Sequence, residues 1–225
     1  MADKATTRRP KIEERAVRIA AGDVTLDGDL SLPKNTAGIV VFAHGSGSSR
    51  KSPRNRQVAH AIVDAGLGTL LFDLLTADEE RADVGTAEFR FNIDLLAGRL
   101  AGATDWLLSQ KELGRLKIGY FGASTGAAAA LVAATKRPKA IAAIVSRGGR
   151  PDLAGPALPH VQAPTLLIVG GYDTTVLGMN RDAMAQMHCE VKLQVVPEAS
   201  HLFEEVGKLE EVSTLTIQWF LRYLA

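Results

Sequence analysis

Six short, mostly apolar runs set the architecture of this chain. They are Ile39–Ala43, Thr69–Phe72, Lys117–Phe121, Ala140–Ser146, Thr165–Val169 and Lys192–Val196. Runs of this length without alternation suggest strands buried on both faces. Helical patterns lie between them. Pro53 to Gly66 opens on a proline and closes on a glycine, as helices often do. Leu95, Leu96, Leu100, Ala103 and Leu107 fall on one helical face, and Thr125 to Lys136 is almost all small residues. Val176 to His188 is a weaker helix, and Val212, Leu215, Trp219 and Tyr223 line a last one. Strand–helix alternation of this kind predicts a mostly parallel sheet with helices on both faces. Ahead of it, Val17–Ala20 and Val24–Leu32 alternate across Gly22-Asp23 as an antiparallel hairpin, giving about eight strands in all.

The chain has 225 residues, enough for one domain with a sizeable core. The expected division is a polar tail over 1–12 and a single domain over 13–225. Net charge is +1 from 26 basic and 25 acidic residues, a balance that provides no field for nucleic acid or an anionic membrane. The N-terminus is basic but no apolar stretch follows it, so no secretory signal is read. Gly126–Ala134 is about half the length of a membrane span. The single cysteine, Cys189, has no internal partner, which suits a cytoplasmic setting.

The sharpest chemical signal is Gly122-Ala-Ser-Thr-Gly126, at the junction between the run ending at Phe121 and the small-residue helix. A G-x-S-x-G turn between strand and helix holds its serine in a strained conformation, and only small residues two before and two after avoid collision. It also sets Ser124 at a helix N-terminus, where positive potential favours a developing oxyanion. Serine is a weak nucleophile and needs a base oriented by an acid. Around such a turn these follow in the order acid, then histidine. Asp173 comes 49 residues later in Gly170-Gly-Tyr-Asp173, and His201 a further 28 later in Pro197-Glu-Ala-Ser-His201. Both follow strand runs, on the edge that carries Ser124. Of the other histidines, His44 precedes the serine, His60 lies in a helix, His160 is at the opposite edge and His188 is in or after a helix. Asp152 is the competing acid.

The oxyanion needs two backbone donors. Thr125 N–H is one expected donor, and the loop His44-Gly-Ser-Gly-Ser-Ser49 should supply the other from Ser46, with Gly47 second. Gly45 and Gly47 let the backbone approach the substrate. The same loop nearly matches a dinucleotide fingerprint, with Asp73 where a ribose-binding acid would stand. Arg50 replaces the third glycine, and Pro53 starts the helix late. This NAD(P)-dependent oxidoreductase alternative also leaves Ser124, Asp173 and His201 unused.

Taken together, His44-Gly-Ser-Gly47, Gly122-Ala-Ser-Thr-Gly126, Gly170-Gly-Tyr-Asp173 and Ser200-His-Leu-Phe203 make the chain resemble the α/β-hydrolase superfamily, in its dienelactone-hydrolase-like branch, from about residue 14 onward. Ser52–Arg56 and Ser146–Asp152 resemble members fused to a phosphoribosyltransferase domain. Dienelactone hydrolases proper use cysteine at the elbow. Ser124 in its place points to a general carboxylic-ester hydrolase, without metal or organic cofactor. The resemblance implies a serine hydrolase of small esters, thioesters or lactones, acting through an acyl-enzyme. The alternative from another class is an accessory binding module that keeps the fold without turnover. Arg147 and Arg150 follow a strand end on the active edge, and Arg147 is the candidate clamp for a substrate carboxylate. Arg50, Lys51, Arg54 and Arg56 cluster near the oxyanion loop, either as a solvated run or as an attractor of anionic groups. Residues 74–90 are expected as a rim loop. Only 18 residues, 147–164, separate two strands where a lid is often inserted, and their glycines and prolines disfavour a long helix.

Overall fold

The computed structural model describes residues 12–225. The expected polar tail lies outside the described residues except for Ile12, which opens the first strand. β1 (Ile12–Ala21) and β2 (Val24–Pro33) form the hairpin, turning at Gly22 with φ +68°. The strand begins earlier than its sequence suggests because Glu13, Glu14 and Arg15 lie exposed on a sheet edge. An edge strand needs little apolar character.

The remaining strands are β3 (Gly38–Ala43), β4 (Gly68–Phe72), β5 (Lys117–Ala123), β6 (Ile141–Arg147), β7 (Thr165–Gly170) and β8 (Val191–Val196). The sheet has eight strands in the order β1-β2-β4-β3-β5-β6-β7-β8. β2 is antiparallel to both neighbours, while β3 to β8 are mutually parallel. This is the expected α/β-hydrolase architecture.

The central strands separate two cores. On one face Ile39, Val41, Ile118, Tyr120 and Ile144 pack under α3 (Ile93–Ser109), α4 (Thr125–Lys136) and α5 (Thr174–Met184). On the other, Val40, Phe42, Phe121, Val145 and Ile168 pack under α1 (Pro53–Asp64) and α6 (Lys208–Leu224). Alternate residues of one strand thus serve opposite cores, which explains why the runs read as continuous. In α4, Thr125 through Ala134 are all buried. Their small side chains let the helix lie close to the sheet. Among the described residues, no helix is long and apolar enough to cross a membrane.

Residues 74–90 are not simply a loop. α2 (Ala77–Thr86) occupies most of them. It has almost no apolar periodicity, so the pattern concealed it. Its start was nevertheless written in the sequence: Thr76 accepts from Glu79 N–H, and the Glu79 carboxylate accepts from Thr76 N–H. The glycine- and proline-rich stretch after β6 forms 3₁₀ turns over Pro151–His160, broken at Gly155, so no helical lid is built there.

Candidate active site

Every element of the site emerges from the C-terminal edge of the parallel strands, where open α/β sheets place their ligands. At the end of β5 the backbone enters α4 through Ser124, with φ 50° and ψ −122°. That conformation is costly for a non-glycine residue. Its neighbours enforce it. A Cβ on Gly122 would lie 2.4 Å from Ala127 Cα, and one on Gly126 2.2 Å from Ala43 O. The steric requirement read from the motif is therefore met at both glycines. Ser124 N–H also donates to Arg147 O at 3.3 Å, and Arg150 N–H donates to Ser124 O at 3.1 Å. Ser124 sits at the N-cap of α4 but makes no capping bond with its side chain.

His201 and Asp173 meet although they are 28 residues apart. The ends of β7 and β8 are laced together: Gly171 N–H donates to Val196 O at 2.8 Å and Tyr172 N–H to Ala199 O at 3.0 Å. His201 Nδ1 then lies 2.6 Å from Asp173 Oδ2. The side chain of His201 is 38% exposed and that of Asp173 15%, so the ring faces the opening while the acid is shielded. Ser124 and His201 line one cleft of about 250 Å³. Their side chains are not hydrogen-bonded to each other in this arrangement, as is common before a ligand tightens such a site. Larger space, about 690 Å³, exists at the other end of the sheet between β1 and residues 112–116, but it contains none of these groups. We assign the site by chemistry rather than by size.

Asp152, the competing acid, is occupied elsewhere. It receives Arg150 Nε and Nη2 at 2.9 and 2.7 Å. This ion pair raises the arginine's pKa. Arg150 is thus a structural partner rather than a substrate clamp. His44 is also occupied: Nε2 accepts from Leu74 N–H at 3.0 Å and Nδ1 lies 3.0 Å from Gly45 O. Burial lowers its pKa and keeps it neutral, outweighing the opposing pull of Gly45 O, Asp73 and Glu80.

The oxyanion loop brings a correction. Ser46 N–H is not free but donates to Thr125 Oγ1 at 2.8 Å. The Thr125 side chain therefore ties the loop after β3 to the elbow, a bond across 79 residues that no local pattern signals. Gly45 lies against Ala123 O and Ser124 Cβ and lines the cleft. Gly47, with φ +66°, instead lines the adjoining hollow beneath α2. The basic cluster divides. Arg50 donates its N–H to Asp73 at 2.8 Å and pairs with Asp73 and Asp29. That removes Asp73 from any ribose-binding role and closes the loop where a pyrophosphate would lie. Arg54 and Arg147 both face the cleft. Sequence reasoning missed Asn55, which enters with them and holds Arg147 through its Oδ1 at 3.1 Å. Among the described residues, no cluster of three or more metal-ligating side chains occurs.

The fold and site together define an α/β-hydrolase-fold protein. The model of the dienelactone hydrolase family matches residues 26–218, and the chain belongs to that family. It is 57% identical to a dienelactone hydrolase of Anabaena variabilis of known structure, with a TM-score of 0.94 and coverage of 97% of this chain and 100% of that one. Est1E of Butyrivibrio proteoclasticus, solved with ferulic acid, shares the fold at 16% identity and a TM-score of 0.78, covering 92% of this chain and 99% of that one. A Mycobacterium tuberculosis protein named "Putative phosphoribosyl transferase" is 53% identical over 215 residues, covering 96% of this chain and 48% of that protein. The chain thus spans about half the length of the curated relatives it matches most extensively. A hydrolase is the coarse activity that family and fold support.

Proposed function

We propose that this domain hydrolyses small carboxylic esters through an acyl-enzyme on Ser124. The observation carrying the reading is the strained Ser124 backbone in one cleft with a His201 ring already bonded to Asp173. Ser124 Oγ attacks the ester carbonyl as His201 Nε2 takes its proton. Asp173 holds the imidazole by Nδ1 and stabilises the imidazolium. Thr125 N–H receives the oxyanion, while the bond from Ser46 N–H to Thr125 Oγ1 holds the loop after β3 against the elbow. The alcohol departs with the proton from His201, which then activates water to release the acid.

The absence of a helical lid over 147–164 leaves a shallow site. Each CH₂ of a long acyl chain would gain little of the ~0.8 kcal/mol that burial can provide. Acyl groups of roughly two to six carbons are therefore favoured. A fluorophosphonate probe should label Ser124, and nitrophenyl acetate or butyrate should be turned over with higher kcat/KM than the palmitate ester. An unreactive serine would favour the accessory-module reading, and a preference for palmitate would require an acyl groove. The longer relatives carry the phosphoribosyl transferase name as whole proteins, and joint action with a further domain is part of the proposal only for a chain that contains one.

A further inference from the structure

Among the described residues, arginines are paired almost wherever they are shielded. Arg50 meets Asp73, Arg90 meets Asp83, Arg99 meets Glu79 and Arg150 meets Asp152. Arg147 is the exception. It ends β6 and is only 6% exposed. Its guanidinium makes one hydrogen bond to protein, from Nη2 to Asn55 Oδ1, and its Nε is buried without a partner. The charge that acts on it is another cation, Arg54 in the first turn of α1. Burial, with Arg54 adding repulsion, pushes the Arg147 pKa down to about 10, so it remains charged at neutral pH. Arg54 reaches Glu204 through Nη1 at 2.9 Å, yet its Nε too is buried and unpaired. Ser48, Ser52 and Asn55 complete this wall, and no Asp or Glu lines the cleft. A buried charge facing a like charge is costly unless a ligand completes it.

We propose that this wall is a phosphate subsite, and that the substrate is a short ester whose acyl or alcohol part carries a phosphate monoester. The inference rests on the serine-hydrolase reading for the reaction but not for the binding. Among the described residues, Arg54 has only the exposed Glu204 as a counter-ion and Arg147 has none, so the wall keeps an excess of positive charge and several free donors. A phosphate monoester has a charge of about −1.5 to −2 and three terminal oxygens, and guanidinium forks match it in pairs. Asn55 gives its Oδ1 to Arg147, which leaves Nδ2 to donate to a third oxygen. The opening of α1 at the same wall adds positive potential. The subsite adjoins Ser124 and His201, so a phosphate there would hold an ester carbonyl at the nucleophile.

The test compares glycerol 1-acetate with its 3-phosphate at pH 8, and measures inorganic phosphate binding to wild type and Ser124→Ala by calorimetry. The phosphorylated ester should be favoured at least tenfold in kcat/KM. That ratio should fall below twofold in Arg147→Met and several-fold in Arg54→Gln. Lys111→Gln, far from the cleft, should keep it. If Arg147→Met does not fold, the surface substitution Arg54→Gln decides. Phosphate should bind Ser124→Ala as it binds wild type. If neither ester is hydrolysed yet phosphate binds in an Arg54- and Arg147-dependent way, the hydrolase reading fails and the subsite stands. Equal rates on the two esters, or phosphate inhibition no stronger than that of acetate at equal ionic strength, overturns the proposal.

Discussion

Ser52 and Ser124 occupy the same position on different helices. Each is the N-cap residue of a helix that opens on the cleft, Ser52 for α1 and Ser124 for α4. Their backbones are nearly mirror images, with φ −49° and ψ 119° at Ser52 against φ 50° and ψ −122° at Ser124. Ser52 accepts a hydrogen bond from Asn55 N–H and serves the helix. Ser124 makes no such bond. The inverted backbone lifts its hydroxyl away from the amides it would otherwise cap. In the proposed reaction, strain at the elbow is therefore what would make a nucleophile of an ordinary capping residue. The histidines divide in the same way: His44 is buried with both ring nitrogens on the backbone, whereas His201 lines the cleft and gives Nδ1 to Asp173.

The largest effect should come from the freed serine. Ser124→Ala is expected to lower kcat by about 10⁴-fold or more while the fold persists. Ser124→Gly should be equally inactive and melt higher, because glycine tolerates this backbone and relieves about 1–3 kcal/mol of strain. A lower melting temperature for the glycine variant would break the link between strain and hydroxyl exposure. Next comes the acid. Asp173→Asn should reduce kcat by roughly 10³–10⁴-fold through loss of the imidazole orientation, while Asp152→Asn, which only releases Arg150, should stay within a few-fold of wild type. Steady-state kinetics on nitrophenyl butyrate would reverse the assignment if the two results were exchanged.

How far these roles can be read from sequence depends on the range of the contact. The elbow is legible because Gly122, Ser124 and Gly126 meet a local steric demand. Asp173 and His201 are legible because topology delivers both to one edge. The choice against Asp152 is not, since the chain does not say that Arg150 will take it. The Thr125–Ser46 bond and the isolation of Arg147 depend on partners 79 and 92 residues away, and pattern reading has no access to them. α2 was hidden for the opposite reason. Its capping box is local, but it lacks the apolar stripe by which helices are usually found.

The buried histidine supplies a pH prediction. Burial lowers the folded pKa of His44 below its ordinary 6.5. Between those two values the unfolded chain binds the extra proton, so stability falls as pH drops through that window and recovers above 6.5. The lowered carboxylates Asp83, Asp105 and Glu205 act in the same direction only near and below their ordinary values of 3.8 to 4.5. Urea unfolding between pH 7.5 and 5.5 should show a loss of stability that His44→Gln reduces. An unchanged slope in that variant would mean His44 is not the group responsible.

The smallest effect belongs to the serine that remains a cap. The Asn55 N–H to Ser52 Oγ bond is long, 3.4 Å, and Pro53 already presets the first helical turn. Ser52→Ala should therefore cost toward the lower end of the capping range, about 0.5–1 kcal/mol. For a domain of this size that is a fall in Tm of roughly 1–4 °C. Ser52→Asp should recover the loss, because a carboxylate caps as well and favours the positive end of the helix. Calorimetric melting of the three proteins separates this from a packing effect: alanine removes an oxygen and leaves the backbone untouched, and only a cap is restored by aspartate. If Ser52→Ala instead melted like wild type, the hydroxyl would not be holding α1. The contrast between a capping serine and a freed one would then reduce to backbone geometry alone.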